Sequence, residues 1–311
     1  MAEFNVRPVK DEDYQAILEV ADAAVPFDPR GNRSWLRSRQ AFDDTAHSRR
    51  HYVLEEDGQI IGYGGLEQQG GGPHRYRLYV VTAPERLEDA GSTLFERLRQ
   101  AAIPVGARTL WVREYARDEG LLDFFRQRGF AESGRVWDYR LPVEEARLDV
   151  FLPRVAEALA DGVSIVTLDS EGADILPALF DLVDDLWPVD RPALNFEQFR
   201  AWLSQPDILP EAYFIACRDD ACIGHSVFTR SADEDDWLIE LWTATRPKNK
   251  RQGVTLALRI RGIQFARRND YKTVVTYTDA ENFTTIALNE KLGFRRAFGY
   301  VTLELNLDES Y

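Results

Sequence analysis

Cysteine, histidine and long apolar runs are scarce in this sequence of 311 residues. Its four histidines are His47, His51, His74 and His225. Its two cysteines, Cys217 and Cys222, are too few for a disulfide framework, and no cysteine or histidine shows metal-ligand spacing. The apolar stretch within residues 237–242 is far shorter than the roughly 18 residues of a membrane-spanning helix. Because the N-terminus also lacks a secretory signal, we expect a cytoplasmic protein with no metal and no membrane partner.

Positive charge is also in deficit, because 38 Lys and Arg residues stand against 52 Asp and Glu residues, a net charge of −14. An acidic chain disfavours a nucleic acid as partner and suits a cationic or neutral one. Apolar residues, by contrast, make up 44 % of the sequence and aromatic residues 12 %, which is enough for packed cores. The length predicts about two domains of roughly 150 residues each.

An internal repeat supports two domains. The predicted hairpin that ends at Gly62 has a counterpart that ends at Gly224, an offset of 162 residues. The pair Gly129-Phe130 recurs as Gly293-Phe294, an offset of 164 residues. Because the two offsets agree closely, the second half repeats the first with almost no net insertion.

Each half has the same predicted order: a strand, two helices, a hairpin, a strand, a long helix, a strand, a short helix and a final strand. Strands that alternate with helices in this way predict an α/β fold with a mixed sheet covered on both faces. Residues 143–160 are predicted to form a connecting helix. We therefore expect domains at residues 1–145 and 146–311.

A basic turn follows the predicted strand at residues 237–245. Pro247 ends the strand, Gly253 precedes a long helix, and the small residue Thr255 follows two positions later. Free N–H groups at a helix N-terminus, with a glycine that permits close approach, form a pyrophosphate site. Positive charge at the same place comes from Lys248, Lys250 and Arg251. An ordinary solvated helix cap is the alternative interpretation.

The second half resembles the GNAT superfamily of acyl-CoA-dependent N-acyltransferases over residues 163–305. The resemblance rests on the spacing of Pro247, Gly253 and Thr255, and on Asn282 before the Gly293-Phe294 pair. It implies that the strand before the turn splays from the next parallel strand and that the pantetheine arm of acetyl-CoA lies in the gap. Asn282 is expected to bond the pantetheine, the alternative being that it orders the turn. The implied backbone contacts to acetyl-CoA come from Ala244, Thr245, Arg251, Gln252, Gly253, Val254 and Thr255.

The first half has the same predicted order of strands and helices, but its turn differs in sequence. Glu88 and Asp89 occupy positions where basic or neutral donors are expected. Acidic side chains repel a pyrophosphate, so we predict that this copy has lost acyl-CoA binding, although Arg86 and the Gly91 amide leave another ligand open. Tandem members of the superfamily resemble the whole chain, and this two-domain resemblance implies that the C-terminal copy is the catalytic one.

Amine acylation needs a base that removes a proton from the ammonium and an acid that protonates the departing thiolate. The superfamily carries a carboxylate on the strand before the turn, and the resemblance assigns that role to Glu240, seven residues before Pro247. The flanking Ile239, Leu241 and Trp242 are expected to desolvate this carboxylate. A surface carboxylate on an alternating strand is the alternative interpretation.

The acid is less well defined by the sequence. Many superfamily members carry a tyrosine four residues before the glycine of the Gly-Phe pair, where this chain has Asn289 and its first half has Phe125. An asparagine cannot give up a proton, but its amide suits the thioester sulfur or a water, so Asn289 is assigned to cofactor binding. Tyr277 and Tyr300 are possible acids, and packing as a core aromatic is the favoured interpretation of each.

The acceptor is expected to bind at residues 185–196, a segment rich in tryptophan, proline and acid. Trp187 and Asp190 are the predicted contacts, and plain packing is the alternative for Trp187. The predicted acceptor is a small-molecule primary amine, with a mycothiol-type compound, an aminoglycoside, a polyamine and an amino acid all open. A non-catalytic acyl-CoA sensor and a protein-lysine acetyltransferase are the alternative functions. The chain is expected to act as a monomer with pseudo-dimeric halves or as a homodimer.

Overall fold

The computed structural model describes residues 4–24, 49–68, 72, 74–187, 194–219, 221–231, 234–250 and 252–308. Its strands are β1 (Phe4–Pro8), β2 (Arg49–Glu56), β3 (Gln59–Gln68), β4 (Arg75–Thr82), β5 (Thr109–Tyr115), β6 (Ala131–Pro142), β7 (Val163–Thr167), β8 (Ile208–Arg218), β9 (Ala221–Arg230), β10 (Trp237–Thr245), β11 (Thr273–Asp279), β12 (Arg295–Arg296) and β13 (Tyr300–Asn306). Its α-helices are α1 (Tyr14–Ala24), α2 (Ser92–Ala102), α3 (Glu119–Arg126), α4 (Leu152–Ala160), α5 (Leu168–Glu171), α6 (Leu176–Leu186), α7 (Phe196–Leu203), α8 (Val254–Arg268) and α9 (Phe283–Leu292).

The chain forms two compact units. Unit 1 contains residues 1–135, 190–192 and 300–311, and unit 2 contains residues 136–189 and 193–299. Each unit has a mixed sheet with helices on both faces, which confirms the predicted α/β class. The boundary of the sequence repeat at residue 145 stays a prediction.

The sheet of unit 1 has the strand order β1-β2-β3-β4-β5-β13. Its neighbours are antiparallel except for β4 and β5, which run parallel over Arg75–Arg77. Leu54 lies in the core under α2 and α3, while the adjacent Val53 packs with α1. The alternation of side chains along each strand therefore supplies two separate cores.

The sheet of unit 2 has the strand order β6-β11-β10-β9-β8-β7, with β12 paired to β6. Here β10 and β11 are the parallel pair. Phe214 of β8 joins the core under α8, whereas the neighbouring Tyr213 joins the core formed with α6 and α7. The two faces of this sheet are called the α8 face and the α6/α7 face below.

One strand of each sheet comes from the other half of the sequence. β13, at the C-terminal end of the chain, pairs antiparallel with β5 in unit 1. Residues 136–142 of β6, from the first repeat, pair antiparallel with β11 in unit 2. Each unit consequently depends on a strand that a simple division at residue 145 would remove from it.

One predicted element is wrong in its extent. The connecting helix expected at residues 143–160 begins only at Leu152, after short 3-10 turns at Val143–Glu145 and Asp149–Phe151. Pro153 lies in the first turn of α4, where a missing N–H costs no helical hydrogen bond. A proline is favoured at the start of a helix and not inside one, so it sets the start of α4.

Candidate active site

A gap opens in the sheet of unit 2 beside Glu240. β10 pairs with β11 from Trp237 to Glu240, and Glu240 opposite Thr276 is the last pair that the described strands form. Beyond that point β10 continues to Thr245 along β9. The two parallel strands therefore splay as the resemblance implied, and Glu240 borders the opening.

A β-bulge at Leu241 decides which face each neighbouring side chain occupies. Glu240 pairs with Phe228 and Trp242 with the next residue of β9, Val227, so Leu241 is the extra residue. Strict alternation would place Glu240 and Trp242 on one face. The bulge instead keeps Glu240 on the α8 face and turns Trp242 into the core of the α6/α7 face.

The Glu240 carboxylate is buried and hydrogen-bonded at both oxygens. Oε2 accepts from Nε and Nη2 of Arg259 on α8, at 3.0 and 2.8 Å. Oε1 accepts from the Thr243 hydroxyl at 2.5 Å, and the Thr243 hydroxyl lies 2.6 Å from that of Ser226. Glu240 is 5 % exposed and Arg259 3 % exposed, so this is a buried ion pair.

Burial of Glu240 was expected, but its cause differs in part from the prediction. Ile239 is buried, whereas Leu241 is 49 % exposed and Trp242 faces away. The carboxylate is covered instead by α8 through Arg259. The Arg259 side chain is 3 % exposed, and its Cζ atom lies 5.2 Å from the ring centroid of Phe294. Its Nη1 atom has no hydrogen-bond partner among the described residues.

The turn before α8 has the form of an anion cradle. Gly253 has a φ of +82° and precedes the helix, which begins at Val254. The first helical bond runs from Ala257 N–H to Gly253 C=O, so the N–H groups of Val254, Thr255 and Leu256 have no acceptor within the helix. The hydroxyls of Thr245 and Thr255 lie 2.9 Å apart and fix the end of β10 to the first turn.

The remaining predicted contacts of this turn lie close by. Ala244 and Thr245 form the end of β10, opposite His225 and Gly224 of β9. Gln252 donates its side-chain N–H to Lys248 C=O at 3.2 Å, and its buried Oε1 has no partner in the described parts of the chain. Arg251 lies outside the described residues.

The two predicted asparagine contacts have structural partners of their own. Asn282 caps α9, because its Oδ1 accepts from Thr285 N–H at 3.1 Å. Asn289 is completely buried and donates its side-chain N–H to the Thr278 hydroxyl at 3.0 Å, while its Oδ1 has no hydrogen-bond partner within the described ranges. The structure thus assigns the oxygen of Asn282 to ordering the turn and leaves its amide group for a ligand.

The predicted acids are placed apart. Tyr277 directly follows Thr276 on β11 and therefore borders the gap. Tyr300 belongs to β13 of unit 1, where its ring lies 5.3 Å from that of Tyr115. Of the two tyrosines, only Tyr277 lies on a strand that flanks the gap.

Of the two predicted acceptor contacts, Trp187 is described and lies on the α6/α7 face. The ring of Trp187 packs edge-on to that of Trp242 at 5.9 Å, at the C-terminal end of α6. The carboxylates of Asp181 and Asp185 both pair with Arg246, so neither is a free acid. Asp190 lies outside the described residues.

The corresponding turn of unit 1 is closed by its own side chains. Arg86 pairs with Glu56 and with Asp89, and Asp89 accepts from Ala90 N–H at 2.6 Å. Partial burial would raise the pKa of Asp89, but the Ala90 and Arg86 bonds outweigh it and hold that pKa below its ordinary value. Asp89 thus occupies one backbone donor of this turn and neutralises the Arg86 cation.

The position of Glu240 is also altered in unit 1. Arg77 opposite Trp111 is the last parallel pair of β4 and β5, as Glu240 is the last of β10. Each residue lies seven positions before a proline, Pro84 or Pro247. The bulge of β10 has no counterpart in β4, so Leu78, opposite Leu66 on β3, holds the register position of Glu240, opposite Phe228 on β9. Leu78 packs into the core under α2, while Arg77 lies on the other face near Tyr79, so an apolar side chain stands where unit 2 has its carboxylate.

His225 gives unit 2 a sensitivity to acid. Complete burial lowers the pKa of its imidazole from 6.5 to about 3. Between these values the unfolded chain takes up the proton and the folded chain does not, so stability falls as the pH falls below 6.5. We expect the unfolding free energy to drop by about 2 kcal/mol from this residue between pH 6.5 and 5, a shift that urea unfolding of His225→Leu should lack. His74→Leu, at an exposed histidine, is the control. Equal pH dependence in wild type and His225→Leu would contradict the expectation.

Two segments of the chain match a known protein family. Residues 15–130 and 176–294 match the model of the acetyltransferase (GNAT) family. The chain therefore belongs to the acetyltransferase (GNAT) family, and it is an acyl-CoA-dependent acetyltransferase that acts on an acceptor with acetyl-CoA. The prediction of an acyltransferase from the turn and the Gly-Phe pair is confirmed.

Particular relatives share the tandem arrangement. A mycothiol acetyltransferase of Thermomonospora curvata is 27 % identical over 293 residues, 92 % of this chain and 91 % of the relative. A tandem GNAT protein from the clavulanic acid biosynthesis pathway has a TM-score of 0.74 at 18 % identity and covers 98 % of both chains. A GCN5-related N-acetyltransferase from Sphaerobacter thermophilus has a TM-score of 0.66 at 17 % identity, over 97 % of this chain and 95 % of the other. These structures confirm the tandem fold.

The described residues contain neither a membrane-spanning helix nor a cluster of metal-ligand side chains. No described helix is long and apolar enough to cross a membrane. No group of three or more His, Cys, Asp or Glu residues in the described parts of the chain is placed to hold a metal ion.

The sequence analysis missed three residues of the site. Arg259 could have been noticed as a charge within the apolar run from Leu256 to Ile260 of α8. Ser226 and Thr243 carry no motif and are found only through the hydrogen bonds that join them to Glu240.

Proposed function

We propose that unit 2 transfers the acetyl group of acetyl-CoA to the primary amine of a small molecule, with Glu240 as the general base. The observation that carries the proposal is the position of Glu240, buried at the point where β10 leaves β11. A carboxylate fixed at the edge of the gap is placed to accept a proton from an amine that enters it. Thr243 and Arg259 hold the carboxylate in one orientation.

The residues of unit 2 fit acetyl-CoA. An anionic pyrophosphate suits the glycine before α8 and the free N–H groups of the first helical turn. An amide-containing arm suits two buried oxygens that have no partner among the described residues, Oε1 of Gln252 and Oδ1 of Asn289. We assign its binding to Ala244, Thr245, Arg251, Gln252, Gly253, Val254, Thr255, Asn282 and Asn289. When bound, acetyl-CoA supplies an acetyl group activated as a thioester.

The side chains of unit 2 have separate proposed roles in the reaction. We propose that Glu240 takes the proton of the amine and that Tyr277, on the strand across the gap, is the acid that protonates the leaving sulfur. Asn289 has no proton to give, so its contribution is a hydrogen bond. Trp187 and Asp190 are proposed to contact the acceptor.

The assignment of catalysis to the second domain, residues 146–311, rests on the difference between the two turns. In the first domain, residues 1–145, Asp89 pairs with Arg86 within the turn, and the apolar Leu78 holds the register position of Glu240. A small-molecule acceptor is supported by the curated relative, which is named a mycothiol acetyltransferase.

The proposal is tested by release of free CoA thiol from acetyl-CoA in the presence of spermidine, glucosamine, kanamycin, lysine and a lysine peptide. We expect release with at least one small amine and mass spectra that show an added acetyl group on its nitrogen. Binding of acetyl-CoA without thiol release would contradict catalysis and favour a sensor. Release with the peptide alone would favour a protein-lysine acetyltransferase.

Matched glycine variants test which unit binds the cofactor. A Cβ at Gly253 would lie 3.2 Å from Arg154 C=O and 3.3 Å from Ala158 Cβ, at a left-handed φ of +82°. Strain of about 1–2 kcal/mol predicts that Gly253→Ala raises the KM for acetyl-CoA on the order of tenfold. Gly91 has an ordinary helical φ of −60°, so Gly91→Ala in unit 1 is the control and should leave this KM unchanged. A larger effect at Gly91 would place the cofactor in unit 1.

A further inference from the structure

A histidine–tyrosine pair occurs at the same place in both units with the two residue types exchanged. In unit 1 the Nδ1 atom of His51 lies 2.7 Å from the Tyr63 hydroxyl. In unit 2 the Nδ1 atom of His225 lies 3.0 Å from the Tyr213 hydroxyl. His51 and Tyr213 hold the same register position on the first strand of each hairpin, and Tyr63 and His225 the same position on the second.

The two pairs differ in what faces the second nitrogen of the imidazole. In unit 1 the Nε2 atom of His51 lies 3.3 Å from Oε1 of Glu67, which also accepts from the Tyr79 hydroxyl at 3.1 Å. In unit 2 the positions of Glu67 and Tyr79 are held by Thr229 and Trp242. The Nε2 atom of His225 is completely buried and has no hydrogen-bond partner among the residues that the structure describes.

The hydrogen-bond pattern fixes which nitrogen of His225 carries the proton. The buried hydroxyl of Tyr213 has the Nδ1 atom of His225 as its one partner among the described residues, so it must donate there to avoid an unsatisfied O–H. Nδ1 is then the acceptor, and Nε2 bears the hydrogen. Because burial also keeps the ring uncharged, His225 presents a neutral N–H donor that lacks an acceptor.

This donor lies beside the segment assigned to acetyl-CoA and acceptor binding. His225 is the register partner of Ala244 on β10, past the point where the gap opens. Its ring packs edge-on against Trp242 at 4.4 Å, and Trp242 contacts Trp187. The donor therefore belongs to the α6/α7 face, where the acceptor contacts are expected.

We propose that the Nε2–H group of His225 donates a hydrogen bond to a neutral oxygen, a hydroxyl or a carbonyl, of the acceptor amine, and so determines which amines are used. This inference rests on the proposed function. An ammonium has no lone pair to accept the bond, and a carboxylate would bring an unpaired charge into an apolar aromatic wall. A site built to bond a neutral oxygen rejects an analogue that lacks it, because the buried donor is then left unpaired.

Two amines that differ by one hydroxyl measure this contact directly: 2-amino-1-phenylethanol and phenethylamine. For the wild type we expect kcat/KM to favour the hydroxylated amine by about tenfold, the value of one neutral hydrogen bond. The ratio should fall toward one in His225→Leu through a higher KM for the hydroxylated amine. His225→Gln, which keeps an N–H donor, should restore part of the ratio. His51→Gln in unit 1 is the matched control and should leave the ratio at its wild-type value.

A second measurement separates this inference from the proposed function. The side-chain Nε2–H resonance of His225 is followed by 15N NMR while each amine is added to the full-length protein with acetyl-CoA. A shift with the hydroxylated amine alone supports the inference even if neither amine is acetylated, a result that would count against the proposed function only. Turnover with an unchanged ratio in His225→Leu would overturn the inference and leave the function standing. A resonance that no amine moves, as for a donor satisfied by a buried water, would also overturn it.

Discussion

Replacement of Glu240 by glutamine is expected to lower kcat by about 10²–10⁴-fold while acetyl-CoA still binds. The amide keeps the size of the carboxylate and a hydrogen-bond acceptor for Arg259, but it cannot take a proton from the amine. Steady-state rates of thiol release and direct titration with acetyl-CoA measure the two effects separately. Glu211→Gln, an exposed position on β8 of the same sheet, is the control.

The buried ion pair introduces a second effect that the experiment must remove. Loss of one partner leaves the charge of Arg259 buried without compensation, which typically costs about 3–5 kcal/mol. The double variant Glu240→Gln/Arg259→Gln removes both charges and should recover much of the thermal stability without recovering turnover. Wild-type turnover in either variant would refute Glu240 as the base.

Leu303→Ala is expected to destabilise unit 1 by about 2–5 kcal/mol, although Leu303 lies near the C-terminal end of the chain. Leu303 is completely buried on β13, where it packs into the core under α2 and α3. Native-state hydrogen exchange should show faster opening of α2 than of α8 in this variant.

Leu141→Ala is the mirror-image control. Leu141 is equally buried, but it lies on β6 and packs into the core under α8 of unit 2. Its loss should therefore accelerate exchange in α8 more than in α2. If each leucine instead destabilised the unit formed by its own half of the sequence, the observed assignment of β6 and β13 would be wrong.

The elements that the sequence predicted best are those with strong local patterns. The strand predicted at residues 237–245 is β10, with the same bounds, and the long helix predicted after Gly253 begins at Val254, because apolar periodicity and the Pro247-to-Gly253 turn define these ends. The connecting helix was overextended because apolar periodicity continues upstream of Pro153. The motif residues gave the family, since a cofactor turn is a local feature.

The sequence could not predict the surroundings of Glu240. Its position seven residues before Pro247 marked the residue, but alternation along β10 put Trp242 on the same face. The bulge at Leu241 separates them, and one extra residue in a strand leaves no distinctive pattern. The partner Arg259 lies 19 positions away on another element.

The sequence by itself determined the repeat, the α/β class, the family and the turn that distinguishes the second copy, because each is written in residues close together in the chain. Only the tertiary structure decided that β6 completes the sheet of unit 2, that β13 completes the sheet of unit 1, and that Arg259 neutralises Glu240. It also decided that Glu67 faces the imidazole of His51, whereas the Nε2 atom of His225 has no acceptor among the described residues. These features depend on strand register and on side chains that meet across the fold, and neither leaves a periodic pattern in the sequence.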